Sequence, residues 1–237
     1  MRRDVENWAK PVQKLQSADV AGAINANVQG KRVSGALQGF GRMYQKTFRV
    51  KLAGVPATPR EVVRTWKDRY QEFWPKGNRF YAPTAGIAPG EVGLINASLP
   101  GTPTMATGVL VVYADDESFT FMTPEGHPFA GWITFSAYDD GGTTVAQVQE
   151  FIRASDPLWE LGMATFIGRK QNRIWIDTLS NMAVHFGLHG AEVEKEIVVV
   201  DRKRQWAHAK NVWHNAGVRS GLYAMGAPLR MFRRRSR

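Results

Sequence analysis

Residues 47–53 alternate polar and apolar positions: Phe48, Val50 and Leu52 share one face, Arg49 and Lys51 the other. A period of two predicts a half-buried strand. A helix start follows: Thr58 can cap, Pro59 suits the first helical position, and Glu61 completes a Thr-x-x-Glu capping box. Val62, Trp66, Tyr70 and Phe73 then recur at helical spacing, and Trp74-Pro75 ends the run. Residues 76–90 are dense in Gly and Pro and read as loop. Five strand candidates come next, at 91–98, 104–114, 117–123, 129–138 and 143–154. Their connectors, such as Asp115-Asp116 and Pro124-Glu125-Gly126, are too short for parallel crossovers, so the spacing predicts an antiparallel meander.

Asp156-Pro157 repeats the cap-plus-proline signal. The helix it opens carries Trp159, Met163, Ile167, Trp175, Leu179 and Met182. A polar stretch at 168–172 marks a kink or a division into two helices, and Gly187 is the expected stop. Residues 192–201 hold Ile197-Val198-Val199-Val200, a strand or a buried extended arm. Residues 1–46 lack sustained periodicity and are expected to pack along the core. The expected fold is α+β: a curved antiparallel sheet wrapped around a long C-terminal helix, with an apolar cavity between them. Basic N- and C-terminal extensions complete the chain, giving 1–46 as the first, 47–190 as the central domain and 191–237 as an aromatic arm.

The order strand, helix, five strands, helix over residues 47–187 resembles the helix-grip fold of the START-like or SRPBCC superfamily. The segment 119–132, with its Gly126-His127-Pro128 turn, is similar to a hairpin motif of a bacterial branch of that superfamily, and Leu158 to Gly162 is similar to the start of its closing helix. The superfamily contains polyketide cyclases, plant allergen-type binders and lipid-transfer domains. The resemblance implies a cavity between sheet and closing helix, and no particular reaction.

Composition narrows the chemistry further. The chain has no cysteine, which excludes disulfides and thiolate zinc sites. No apolar run follows Arg2 and Arg3, so no signal peptide is expected, and no window reaches the roughly 20 apolar residues of a membrane span. The expected location is cytoplasmic, with peripheral membrane attachment as the variant. The net charge of +10 is uneven. Residues 1–52 carry ten Lys/Arg against three Asp/Glu, 53–190 ten against fourteen, and 191–237 eleven against four. Two basic extensions on a mildly acidic centre fit an anionic partner, or no partner at all. The arm sets Trp206, Trp213, Tyr223 and Phe232 among its cations. Docking on the core or on a protein partner ranks first for it, an anionic membrane surface second, and nucleic acid third.

No catalytic constellation stands out. The candidate ligand-binding residues are Tyr113, Phe121, His127, Trp132, Gln147, Gln149, Arg153 and Trp159. His127 sits in a turn beside Glu125, where it either serves as an acid or base or bonds local backbone. Gln147, Gln149 and Arg153 alternate with Val148 and Ile152, and the inward face is assigned to the polar set. The four aromatics are core residues that also line the cavity if the core is partly hollow. His185 and His189 stand four apart without a third ligand, so no metal is expected, and no cofactor motif is present. The reading is a small-molecule binding protein for a lipid-like or aromatic ligand. The alternatives are a cyclase or dehydratase acting on a polyketide-like substrate, and an interaction protein working through its basic ends.

Overall fold

The computed structural model describes residues 4–18, 20–98 and 104–225. Its strands are β1 (Val33–Ser34), β2 (Met43–Lys51), β3 (Asn78–Tyr81), β4 (Val92–Ala97), β5 (Met105–Ala114), β6 (Ser118–Pro124), β7 (Phe129–Asp140), β8 (Thr143–Ala154) and β9 (Val193–Asp201). Its helices are α1 (Pro59–Phe73), α2 (Pro157–Ala164), α3 (Phe166–His185) and α4 (Ala216–Met225). The main sheet runs β3-β4-β5-β6-β7-β8-β2-β9, with every neighbour antiparallel, and β1 pairs with β6. This is the expected helix-grip architecture: a curved sheet with α1 and α3 on its inner face.

Local chemistry explains the helix boundaries. Thr58 Oγ1 accepts from Glu61 N–H at 3.3 Å while Glu61 Oε2 accepts from Thr58 N–H at 2.7 Å, closing the capping box. Asp156 Oδ1 accepts from the N–H groups of Leu158 and Trp159 at 2.9 and 3.0 Å. The closing helix divides one turn before its polar stretch: Thr165, at φ −106° and ψ −114°, separates α2 from α3. Gly187 follows α3 at φ +83°, a conformation that favours glycine.

Two elements differ from expectation, and a third decides between the alternatives left open for residues 192–201. β2 starts at Met43 rather than 47, because Tyr44 and Lys46 put polar groups on the inner face and hide the alternation. β3 forms in the expected loop, as a four-residue edge strand too short to show a period. β9 is a strand, paired with β2 from Val193 to Asp201, so the sheet continues past residue 190. It is exposed along most of its length, not buried.

The core lies between the inner face and the helices. Trp66 is fully buried, its ring 5.2 Å from Phe135 and 6.1 Å from Phe119. Tyr70 packs edge-on against Phe80, Phe121 and Phe135. The extensions cover the outer face. Leu15 and Val28 form a small cluster there with Leu94 and Leu110. Ser220 of α4 accepts from Asn27 and Ala106, and Trp206 packs edge-on against Phe40. The arm therefore docks on its own core as far as Met225. Its basic end, 226–237, lies outside the described residues. Among the described residues no helix is long and apolar enough to cross a membrane.

Candidate functional site

The inner face and helices leave a cavity of about 110 Å³ between α3 and the sheet. Phe121, Phe129, Ile133, Val109 and Trp175 make most of its wall, with Tyr70 of α1 and Trp74 just past its end. Its polar lining residues are Asn78, Thr107, His127, Glu150 and Gln171. A shallower recess of about 80 Å³, bordered by Trp159, Ile167 and Lys170, shares Met105, Phe129 and Ile174 with it.

The polar groups are held from several elements. His127 sits in the tight turn between β6 and β7. Its Nδ1 accepts from Phe129 N–H at 3.1 Å, and its carbonyl accepts from Ser155 Oγ. Burial pushes its pKa down to about 4, so the ring is neutral near pH 7. Gly126, one residue earlier, has φ +87°, and a Cβ there would lie 1.9 Å from the His214 carbonyl oxygen. The turn thus serves both sides of the sheet, with His127 in the cavity and Gly126 against the docked arm.

Glu150 of β8 is fully buried. Both its carboxylate oxygens accept from Gln171 Nε2, and Oε1 also accepts from Trp175 Nε1 at 2.8 Å. Gln171 Oε1 in turn accepts from Lys46 Nζ, which also donates to Asn172 Oδ1 at 2.9 Å. Gln171 therefore bridges a buried carboxylate and a buried ammonium. Burial pushes the Glu150 carboxyl up and the Lys46 ammonium down, while each one's charge pulls the other back. The Thr107 hydroxyl is buried at the cavity wall without a hydrogen-bond partner among the described residues. A ligand or water in the cavity would satisfy it.

The structure brings together three of the eight sequence candidates. Phe121 and His127 line the cavity, and Trp159 borders the recess. The other five lie elsewhere. A bulge in β5 shifts the register between Val111 and Tyr113, pairing Tyr113 with Thr120 and turning it away from the cavity. It stacks edge-on with Trp8 at 4.7 Å. Trp132 stacks on Phe151 at 4.9 Å on the outer face. The face assigned to Gln147, Gln149 and Arg153 is corrected: Val148 and Glu150 point inward, so the polar set points out. Gln147 accepts from Arg49 Nε at 2.9 Å, Gln149 reaches Thr47 Oγ1 at 3.4 Å, and Arg153 donates to Lys203 O at 2.9 Å and pairs with Asp201.

Sequence reasoning missed Glu150, Gln171, Thr107 and Lys46. One signal was available. Glu150 is in phase with Val148 and Ile152, and Lys46 with Phe48 and Val50. A charge on an apolar face of a strand marks a group that must be paired once buried.

No family model matches the chain, and no curated protein matches its sequence. Solved structures of similar course include protein Ms6760 from Mycobacterium smegmatis, at 12% identity and TM-score 0.45, covering 65% of this chain and 96% of that one. A START superfamily protein from the same organism has 18% identity and TM-score 0.44, covering 61% and 99%. The di-domain ARO/CYC StfQ of the steffimycin biosynthetic pathway has 10% identity and TM-score 0.46, covering 60% of this chain and 50% of that one. At such scores and identities these likenesses say nothing about ligand or reaction.

Proposed function

We propose that this protein binds a compact, largely apolar molecule, of the size of a substituted aromatic ring, in the cavity between α3 and the sheet. The observation that carries the reading is the aromatic-walled cavity with a Thr107 hydroxyl at its wall that has no partner among the described residues. The volume of about 110 Å³ lies well below the roughly 300–1,000 Å³ of pockets for drug-sized ligands, which favours a ring over a long acyl chain. An aromatic wall supplies dispersion contacts and a few polar groups orient the ligand. Glu150 and His127 are acid–base groups in the same cavity, as an enzyme of the cyclase type requires. Both Glu150 oxygens, however, already accept from Gln171, and the His127 ring is held neutral. Committed hydrogen bonds favour binding over proton transfer.

Native mass spectrometry of the purified protein, followed by thermal-shift screening of small phenols and other substituted benzenes, tests the reading. A binder should lose affinity in Ile133→Phe, which fills the cavity, and in Thr107→Val, which removes the free hydroxyl. If no compound of this class raises the melting temperature, or if Ile133→Phe leaves binding intact, the reading fails.

A further inference from the structure

Lys46 closes the inner cavity's polar network from one side and faces a second, larger opening on the other. This groove, of about 430 Å³, lies between β2 with β9 and the corner where α2 meets α3. Its volume falls within the roughly 300–1,000 Å³ usual for small-molecule sites. The local sequence builds it in three steps. Alternation running from Arg42, just before β2, into the strand sends Arg42, Tyr44 and Lys46 to one face. The break at Thr165 turns the helix away and opens a wedge above that face. Gly168 has room for no Cβ, since one would lie 2.5 Å from the Met163 carbonyl oxygen, so the corner can close tightly.

The groove has two characters. Three cationic side chains, Arg42, Lys46 and Arg169, border it against one carboxylate, Glu160. Glu160 is nearly buried and already neutralised, with its Oε1 accepting from Arg204 Nε at 3.1 Å and lying 3.6 Å from Arg42 Nε. Among the described residues Arg42 Nε is itself buried without a hydrogen bond, and the exposed Arg169 side chain has no ion pair or hydrogen bond. Lys46 is 3% exposed, so one cation is fixed in the wall, not waving in solvent. The other half is apolar. Met163, Ala164 and Ile197 line it, and Val199 continues the same face of β9, paired with Tyr44. Ile197 and Val199 remain 40% and 38% exposed, although a β-branched strand is ordinarily covered.

We infer that this groove binds an amphipathic monoanion: a carboxylate head among Arg42, Lys46 and Arg169, and a short alkyl chain laid over Met163, Ile197 and Val199. The excess of positive charge favours an anion, and guanidinium groups suit a carboxylate in particular. The apolar strip supplies the remaining contact, with Met163 adapting to chain shape. The site lies outside the inner cavity, although Lys46 and Gln171 link the two.

Isothermal titration of the full-length protein with decanoate tests the assignment, with decanol, acetate and inorganic phosphate as comparison arms. Decanoate should bind saturably at one site, and each comparison compound at least tenfold more weakly. Arg169→Glu, at an exposed and unpaired position, should weaken decanoate at least tenfold with an unchanged melting temperature, and Ile197→Thr severalfold. Hydrogen exchange should slow at 42–46, 163–172 and 193–199, and not at 105–109 or 121–133. Equal binding of decanol would remove the charge from the account, and equal binding of acetate or phosphate would remove the apolar strip. Protection confined to 105–109 and 121–133 would place the ligand in the inner cavity. Any of these results, or no saturable decanoate binding, overturns the inference.

Discussion

Lys46→Met should destabilise the protein strongly, and far less so when Glu150 is changed with it. Glu150 is fully buried and Lys46 is 3% exposed, with Gln171 bonded to both. Removing the ammonium leaves a carboxylate in the core with neutral donors only. Breaking a buried pair from one side costs about 3–5 kcal/mol, whereas removing both charges is often close to neutral. For a chain of this length that corresponds to a fall of roughly 6–20 °C in melting temperature. Glu150→Gln should cost a similar amount, because Lys46 then loses its counter-charge. The double variant should cost less than either single variant, so that most of the summed loss is recovered. pH gives an independent readout. Burial already raises the Glu150 pKa, and without Lys46 nothing of like strength pulls it back. A group whose folded pKa is raised stabilises below its unfolded pKa, and the contribution is lost as pH rises through the folded value. The Lys46→Met deficit should therefore be larger at pH 8 than at pH 5. Chemical denaturation of the parent, both single variants and the double variant at the two pH values is the assay. Additivity within about 0.5 kcal/mol, or a deficit independent of pH, would refute the coupling.

Other outcomes follow from the same packing. Trp66→Ala removes a fully buried indole between Phe119 and Phe135 and should cost about 3–5 kcal/mol; denaturation equal to the parent would place the helix stripe on the wrong face. His127, held near pKa 4, should not titrate by NMR between pH 8 and 5. Its unfolded value is near 6.5, so it contributes stability above that pH which is lost as pH falls toward 4, on the order of 3 kcal/mol in all; a His127→Gln variant with the same acid limb as the parent would count against this. Gly126→Ala meets both a left-handed φ and the His214 carbonyl, and should loosen the docked arm. Limited proteolysis should then cut within 206–225 faster than in the parent, and identical digestion patterns would show that the arm is held elsewhere.

The chain's local signals determined its elements. The capping box at Thr58, the Asp156-Pro157 start, the Gly187 stop and the period-two runs each act over a few residues, so they can be read without knowing the fold. Short polar connectors between the middle strands fixed the antiparallel meander, because no parallel crossover fits them. What local pattern could not supply was which face of each strand turns inward. In β8 Gln147, Gln149 and Arg153 and the opposing Val148, Glu150 and Ile152 offer mixed alternations, and only pairing with β2 and packing against α3 chose between them. A single bulge near Val112 reversed Tyr113 in the same way. The cavity's polar pole was equally a tertiary product. Glu150, Lys46 and Gln171 lie on three elements up to 125 residues apart; the apolar phase around Glu150 and Lys46 marks those two, but only closure of the sheet and α3 brings all three together. Hydrophobic period specifies how a segment folds locally, but burial of a charge is decided by what packs on top, and in this protein that burial made the site.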